Sequence, residues 1–168
     1  KLYIKDTTPP IVQLISPINK QLTNQLMQNY IYNLSDNVVD KLANCSFYLN
    51  TIYWTNQSNT NVKVNSISTF TATVASSGDR IIAWNVTCKD ADGNIGSDGD
   101  SFQLDMTSPL ITLQFPVNYS WKNTIAPKLN YSFIDGLSAN SSCILNINGM
   151  SYSSIVNNNT LKEVQVTG

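Results

Sequence analysis

The chain of 168 residues carries 10 basic and 11 acidic residues and no histidine, which gives a formal net charge of −1. This balance excludes the basic footprint that attracts nucleic acid or an anionic membrane, and the lack of histidine removes the most common general base and zinc ligand. The hydrophobic share of 42% is sufficient for a packed core. No apolar run approaches the ~18 residues of a membrane helix, so we expect no direct membrane insertion of this segment.

An internal repeat divides the chain. Asp6-Thr7-Thr8-Pro9-Pro10 returns as Asp105-Met106-Thr107-Ser108-Pro109, at an offset of 99 residues (109 − 10). The same offset relates Tyr32 to Tyr131 and Asp36 to Asp135, and an offset one residue shorter relates Cys45 to Cys143. Because solenoid repeats have only ~20–50 residues, this period indicates whole domains in tandem. We predict the last strand of a preceding repeat or a linker over 1–7, a first domain over 8–107 and an incomplete second domain over 108–168, all within a longer protein.

Short stretches of alternating apolar and polar residues, with turn signals at intervals of about ten residues, predict β-strands throughout. In the first copy these are Ile11–Ser16, Met27–Asp36, Leu42–Asn50, Ile52–Asn56, Ser66–Ser76, Arg80–Lys89 and Asp100–Met106. In the second copy they are Leu110–Phe115, Lys128–Asp135, Ser142–Asn148 and a strand near Leu161–Val166. Seven strands in about a hundred residues fit an immunoglobulin-like β-sandwich. The predicted fold is therefore all-β, with two tandem immunoglobulin-like sandwiches of which the second is truncated.

Alternation also assigns the faces of the strands, because successive side chains point to opposite sides. The residues predicted to face the core are Tyr30, Tyr32, Leu34, Cys45, Phe47, Leu49, Ile82, Trp84, Val86 and Cys88. Trp84 is accordingly interpreted as a core residue and not as a platform for a ligand.

Eight Asn-x-Ser/Thr triplets are candidate acceptors of N-linked glycan. They begin at Asn33, Asn44, Asn56, Asn85, Asn118, Asn130, Asn140 and Asn158. In the triplets at Asn33, Asn44, Asn85 and Asn130 the middle residue points inward, so the Asn and the hydroxyl residue share the solvent face. Alternation in a chain rich in Asn and Ser produces such triplets by itself, so glycosylation of several sites is a hypothesis, and it requires secretion.

The three cysteines all fall in the inward phase. Cys45 and Cys88 either form a disulfide, worth at most about 4 kcal/mol by the chain-entropy estimate, or remain two buried thiols. Cys143 is the equivalent of Cys45, and the equivalent of Cys88 would lie near position 187 (88 + 99), beyond this chain. We therefore expect Cys143 to be unpaired within these 168 residues.

The acidic segment Asp90-Ala91-Asp92-Gly93-Asn94 is interpreted mainly as a hairpin turn. Asp90, Asp92 and Asn94 offer oxygen atoms at alternate positions and are a secondary candidate for calcium. Ile95 and Ser101, however, stand where an EF-hand loop has its Gly and its Glu.

Four aromatic residues are predicted in or near loops: Tyr53, Trp54, Tyr119 and Trp121. Such rings can stack on sugar faces, but packing at the ends of the sandwich is the favoured interpretation. Trp121 takes the place of Leu22 in the repeat (121 − 99), which supports packing.

Segments 6–10, 43–50, 83–94 and 105–109 together resemble the immunoglobulin-like repeats of prokaryotic cell-surface proteins. The Asn-Cys-Ser and Trp-x-x-x-Cys forms are most similar to the archaeal versions. This resemblance implies an extracellular location at the cell surface and no catalytic residues, since such repeats serve as stalks, layer proteins, filament subunits and adhesins. Many members carry a Cys in the second strand, where this chain has Tyr32, and this departure favours a Cys45–Cys88 disulfide between neighbouring strands.

These features predict a glycosylated, disulfide-bonded structural module and not an enzyme: a stalk, surface-layer or filament subunit. An adhesin or carbohydrate-binding module is the alternative. The expected partners are neighbouring repeats of the same chain or copies of itself, N-linked glycans and, in the alternative, surface carbohydrate, but not nucleic acid. Apart from the calcium candidate, no cofactor is expected. The joints at Thr8-Pro9-Pro10 and Ser108-Pro109 are predicted to limit bending between modules.

Overall fold

The computed structural model describes residues 5–38, 42–50, 55–75 and 78–166, and it divides into unit 1, Lys1–Met106, and unit 2, Thr107–Gly168. The strands of unit 1 are β1 (Ile11–Ser16), β2 (Leu22–Thr23), β3 (Met27–Ser35), β4 (Leu42–Leu49), β5 (Thr55–Lys63), β6 (Ser66–Thr73), β7 (Arg80–Lys89) and β8 (Ile95–Leu104). Those of unit 2 are β9 (Leu110–Phe115), β10 (Lys128–Ile134), β11 (Asn140–Ile147), β12 (Met150–Asn157) and β13 (Lys162–Gln165). The all-β prediction is confirmed. Within the described ranges, no helix has the length and apolar character to span a membrane.

Unit 1 is a β-sandwich of two sheets. One sheet has the strand order β1-β3-β6, and the other has the order β2-β8-β7-β4-β5. All pairs are antiparallel except β2 with β8, which run parallel. The short second strand, β2, is thus held along the edge of the last strand, β8.

Unit 2 consists of a three-stranded sheet of order β13-β10-β9 and a hairpin formed by β11 and β12. Its buried cluster contains only Tyr131, Phe133 and Val156, with Cys143, Leu145 and Val164 packed partly against it. Every residue of β9 is exposed. The described part of unit 2 therefore has an incomplete core.

Several predicted strand bounds were wrong. β5 lies at Thr55–Lys63, whereas Ile52–Asn56 was predicted, and its side chains are polar up to Asn61. β8 starts at Ile95 and not at Asp100, and β2 and β12 were not predicted. These segments lack clear alternation of apolar residues and become strands because a neighbouring strand pairs with them along its hydrogen-bonding edge. Residues 51–54, 76 and 77 lie outside the described residues.

An aromatic cluster forms the centre of the core in unit 1. The ring of Tyr30 lies 4.6 Å from that of Phe47 and 5.1 Å from that of Trp84, measured between centroids. Trp84 is 3% exposed, and its Nε1 donates a hydrogen bond of 3.1 Å to the Pro17 carbonyl oxygen. The interpretation of Trp84 as a core residue is confirmed, and its ring additionally ties β7 to the segment after β1.

Tyr30 buries a hydroxyl group that has no hydrogen-bond partner among the described residues. The same burial raises the pKa of Tyr30 above its ordinary value. Because an unpaired buried hydroxyl costs free energy, we expect Tyr30→Phe to raise the free energy of unfolding of unit 1 by about 1 kcal/mol. Chemical denaturation followed by circular dichroism measures this, with Tyr48→Phe on the outer face as a control that should leave the midpoint unchanged. Destabilisation by Tyr30→Phe would contradict the prediction.

Candidate functional site

A disulfide joins two neighbouring strands of the larger sheet. The register of β4 and β7 places Cys45 directly opposite Cys88, with Cα atoms 4.0 Å apart and sulfur atoms 2.06 Å apart. Both residues are buried in the core, as alternation predicts. The crosslink spans a sequence separation of 43 residues, within which β5 and β6 lie. Cys143 of unit 2 is free and half-buried.

The two ends of unit 1 meet in a parallel pairing that we call the end clamp, formed by Gln21 and Thr23 with Gln103 and Asp105. The Gln103 N–H donates to the Gln21 carbonyl oxygen at 2.8 Å, and the Asp105 N–H donates to the Thr23 carbonyl oxygen at 2.9 Å. Sequence reasoning missed this feature, because β2 has only two residues and shows no recognisable period. The end clamp thus connects the segment that follows β1 to the last strand of the unit, β8.

Two carboxylates of β8 extend the attachment towards the start of the unit. Asp98 Oδ2 accepts a hydrogen bond of 3.1 Å from the backbone N–H of Leu14, where the register of β1 shifts. Asp100 Oδ2 accepts one of 3.2 Å from the backbone N–H of Asn19. These acidic residues therefore hold the opening segment of unit 1 against its last strand.

Gly96 of β8 allows the backbone of Pro10 to pack directly against this strand. A Cβ atom at this position would overlap with the carbonyl oxygen of Pro10, which belongs to the backbone and cannot move aside easily. Pro10 itself is buried. The proline joint that precedes β1 is thus seated directly on β8.

The candidate glycosylation sites differ in accessibility. Asn44, Asn85, Asn118 and Asn140 are exposed, and Asn33, Asn130 and Asn158 are half-buried. The side chain of Asn56 lies outside the described residues, although the residue pairs with Tyr48 through β5. None of the described triplet asparagines is in the core, so the faces assigned to their strands agree with the structure.

Asn158 has a structural role that alternation does not reveal. Its Oδ1 accepts a 3.0 Å hydrogen bond from the backbone N–H of Asp135, and its Nδ2 donates one of 2.6 Å to the Asp135 carbonyl oxygen. The Asp135 carboxylate accepts from the backbone N–H groups of Ser138 and Leu137, which hold its pKa below the usual range. The Asn158 amide is therefore already committed to fixing this turn.

The turn at Asp90–Asn94 is built by hydrogen bonds to Asp90. Its Oδ1 accepts from the backbone N–H groups of Asp92 (2.9 Å) and Asn94 (2.8 Å), and its Oδ2 accepts from Asn94 Nδ2 (2.8 Å). Burial disfavours the ionised form of Asp90, but these hydrogen bonds outweigh it and leave the pKa below its ordinary value. Asn94 thus acts as a donor, and the segment forms a hydrogen-bonded hairpin turn, which was the favoured interpretation. Calcium binding by Asp90, Asp92 and Asn94 stays a prediction.

Among the described residues, the fold brings together the acidic residues Asp6, Asp36 and Asp90, each with a carboxylate oxygen within 4.8 Å of the others. The backbone N–H of Thr8 lowers the pKa of Asp6. Hard oxygen ligands of this kind suit a cation such as Ca²⁺, but exposed acidic groups also cluster without one. The repeat offered a signal for two members, because Asp6 and Asp36 both have an Asp at the equivalent position of the second copy.

The packing predicted for the loop aromatics of unit 2 was wrong. Tyr119 is 93% exposed and Trp121 is 97% exposed. In unit 1 the equivalent Leu22 lies in β2 and pairs with β8, whereas the described part of unit 2 has no strand in the β8 position. Among the described residues, Trp121 therefore has no strand of this kind beside it. Tyr53 and Trp54 lie outside the described residues.

Comparison with known proteins gives distant structural neighbours only. No family model and no curated protein matches the chain. A structure of a 1.5-MDa bacterial ice-binding adhesin, concerning its retention at the host cell surface, is 14% identical with a TM-score of 0.43, and the match covers 96% of this chain and 55% of that chain. A tetra-tandem repeat from the extending region of a large adhesion protein is 17% identical with a TM-score of 0.46, covering 97% and 42%. The sporulation control protein Spo0M of Bacillus subtilis is 8% identical with a TM-score of 0.35, covering 95% and 90%. The chain thus spans about half the length of the two adhesin structures.

Proposed function

We propose that this chain is an extracellular structural module, a repeated sandwich that carries tension from one end to the other in a stalk, surface layer or filament. The observation that carries this proposal is the end clamp, because it joins the opening segment of unit 1 to β8, the strand after which the chain leaves the unit. The order of the strands in the two sheets supports an immunoglobulin-like type of sandwich. Neighbouring repeats of the same chain, or copies of it, would meet the module near its proline joints.

The geometry of the end clamp suits a module under tension. β2 and β8 run parallel; the chain enters before β1, which precedes β2, and leaves after β8. Pulling the two ends apart therefore slides one strand along the other, so that the hydrogen bonds between them share the force and do not open one at a time. Asp98, Asp100 and the Pro10–Gly96 contact lie along the same line and resist the same sliding.

A single substitution can test the end clamp. Gln103→Pro removes the N–H that donates to Gln21, and the ladder to β7 does not use it because N–H groups alternate in direction along a strand. We expect a clearly lower unfolding force for unit 1 when the 168-residue chain is stretched as a single molecule. Ser101→Pro is the comparison: its N–H lies on the same edge and donates to the Asp100 carboxylate and not to Gln21, so we expect it to lower the force less. Equal unfolding forces for the two variants would contradict a tension-bearing role.

The outer surface supports secretion and glycosylation. The exposed asparagines of the candidate triplets lie on strands and loops of both units, as expected for a hydrated spacer surrounded by sugars. A disulfide is also typical of oxidising, extracytoplasmic locations. We therefore propose a glycosylated, non-enzymatic protein of the cell surface and, on the sequence resemblance, an archaeal type.

Glycopeptide mass spectrometry of native material tests the sites individually. We expect sugar on at least one of Asn33, Asn44 and Asn85, and none on Asn158, whose amide is half-buried and holds the backbone of Asp135. Asn140, exposed in the same unit, is the internal control for accessibility to the modifying enzyme. The prediction is wrong if Asn33, Asn44 and Asn85 all lack glycan, or if Asn158 carries one.

Carbohydrate recognition is the second candidate, and a shallow hollow on the outer face of the larger sheet favours it. Tyr48, Asn50, Asn85 and Asp100 are among the residues that line it, and an aromatic ring with nearby amides can bind a sugar. A glycan on Asn85 would occupy the same hollow, so the two uses exclude each other there. Binding of oligosaccharides to the unglycosylated chain, lost in Tyr48→Ala, would favour the adhesin.

A further inference from the structure

The outer face of the larger sheet in unit 1 places an aromatic ring beside a candidate glycosylation site. The register of β4 and β7 sets Tyr48 directly opposite Asn85, and both residues are exposed. Directly opposed side chains on one face of an antiparallel pair have Cβ atoms about 4.5–5.5 Å apart. Among the described residues of this sheet, Tyr48 is the only aromatic residue in the outward phase, since Phe47, Trp84 and Phe102 are buried in the core. A group attached to Asn85 would therefore lie next to the Tyr48 ring.

Two other neighbours of Asn85 are small and leave space beside it. Gly99 of β8 lies opposite Asn85 on the side away from Tyr48, and Ala83 lies two residues before it on the same face of β7. A Cβ atom at Gly99 would lie 3.4 Å from the Cβ atom of Asn85, so any side chain there would narrow the space. The result is the shallow hollow described above, with a volume of about 420 Å³, which Tyr48 and Asn50 also line.

The side chain of Asn85 is accessible and makes no other contact that a glycan would break. Val86 of its triplet points into the core, whereas Thr87, the hydroxyl residue, shares the outer face with Asn85. Within the described ranges, the side-chain amide of Asn85 makes no hydrogen bond. By contrast, Oδ1 of Asn44 accepts one of 3.3 Å from the backbone N–H of Asn61.

We propose that a glycan on Asn85 folds back onto its own module and occupies this hollow, with its first sugar stacked against the Tyr48 ring. The ligand class is an N-linked glycan that begins with a pyranose ring, which has an apolar C–H face and polar hydroxyl groups. The aromatic ring covers the C–H face, and Asn50 and Ser101 offer donors and acceptors to the hydroxyl groups. The inference rests on the proposed glycosylation, and it assigns the hollow to the protein's own glycan and not to free carbohydrate.

A glycan in this position would act as an additional contact between two strands. It would remove part of the Tyr48 ring and the apolar face of the sugar from water, which is favourable for the folded state. β4 and β7 are already joined in the core by the disulfide between Cys45 and Cys88. The stacked sugar would join the same two strands on their outer face, so its loss should lower the stability of unit 1.

A double-mutant cycle on the 168-residue chain tests the inference. The chain is secreted from a host whose N-linked glycans begin with N-acetylglucosamine, and peptide mapping establishes whether Asn85 is occupied. The glycans are then trimmed enzymatically to the single N-acetylglucosamine on each asparagine, so that the stacked sugar alone remains. Thermal unfolding is followed by near-ultraviolet circular dichroism of the aromatic core. We expect Tyr48→Ala to lower the midpoint by on the order of 4 °C more in this chain than in Asn85→Gln, which lacks the sugar.

Asn44 provides a matched control on the same strand and face as Tyr48. It also begins a triplet, but the register places it opposite Lys89 and not opposite an aromatic residue. The substitution Asn44→Gln should therefore leave the effect of Tyr48→Ala unchanged. Tyr48→Phe retains the ring and should keep the full stabilisation by the sugar.

The possible results separate this inference from the glycosylation on which it rests. An occupied Asn85 with equal effects of Tyr48→Ala in the two backgrounds would overturn the stacking and leave the proposed glycosylation intact. A bare Asn85 in a chain whose Asn44 carries sugar would overturn the inference together with glycosylation of Asn85. A stabilisation that is lost in Tyr48→Phe would also overturn the stacking, because the hydroxyl group and not the ring would then make the contact.

Discussion

Reduction of the Cys45–Cys88 disulfide should lengthen the stretched, unfolded form of unit 1 by about 150 Å. While the crosslink is intact, the chain between Cys45 and Cys88, a sequence separation of 43 residues, cannot be stretched out. An extended chain spans ~3.3–3.6 Å per residue. With the disulfide intact, the segments before Cys45 and after Cys88 can extend, while β5 and β6 stay within a closed loop. The disulfide would thus limit how far a module yields once its end clamp has opened.

Single-molecule stretching with and without a reductant measures this difference directly. Cys45→Ser should show the longer extension under both conditions, which separates the crosslink from other effects of the reductant. The first event, opening of the end clamp, should need a similar force in all samples, because the disulfide lies between β4 and β7 and not between β2 and β8. An extension that does not change on reduction would show that the two cysteines are not joined in the protein.

Replacement of Trp84 by Ala should cost unit 1 about 3–5 kcal/mol, the range for large aromatic residues in a core. The indole ring is buried against Tyr30 and Phe47, and its N–H satisfies the Pro17 carbonyl oxygen. The substitution would leave a cavity at the centre of the sandwich and an unpaired carbonyl group at the same time. Because the total stability of a domain is only about 5–15 kcal/mol, we expect partial or complete unfolding of unit 1.

Two further variants separate packing from hydrogen bonding at this position. Trp84→Phe retains most of the apolar volume but leaves the Pro17 oxygen without its donor, so it should cost less than Trp84→Ala. Ile81→Ala, on the opposite face of β7 and 66% exposed, should change the free energy of unfolding, measured by urea denaturation, by less than about 0.5 kcal/mol. A small effect of Trp84→Ala, comparable to that of Ile81→Ala, would contradict the central position of the indole ring.

Unit 2 illustrates how residues with equivalent positions in a repeat can have different surroundings. Leu22 lies in β2 and pairs with the last strand of unit 1, whereas Trp121 at the equivalent position is almost fully exposed. Cys45 has a partner, whereas Cys143 is free. Among the described residues, unit 2 has no strands equivalent to β7 and β8, so these positions are not covered as they are in unit 1.

The sequence by itself determined the features that depend on the period of two residues in a strand. Tyr30, Phe47, Trp84 and Cys88 are buried on the faces that alternation assigned to them, and Asn44 and Asn85 are exposed as predicted. The all-β class follows from the same signal. Each of these inferences needs only neighbouring residues, because side-chain direction in a strand is fixed by the local backbone.

Only the tertiary structure decided which distant segments meet. The parallel end clamp joins residues about 80 positions apart (103 − 21), and Asp6, Asp36 and Asp90 converge from three separate segments outside the strands. β5 is a strand because β4 offers it an edge, although its own residues are mostly polar. Such contacts depend on how the two sheets pack together. The alternation of apolar and polar residues along a strand is the same whichever strand pairs with it. The physical reason is that the two-residue period of a strand determines which side chains share a face, whereas strand pairing and burial are properties of the whole fold.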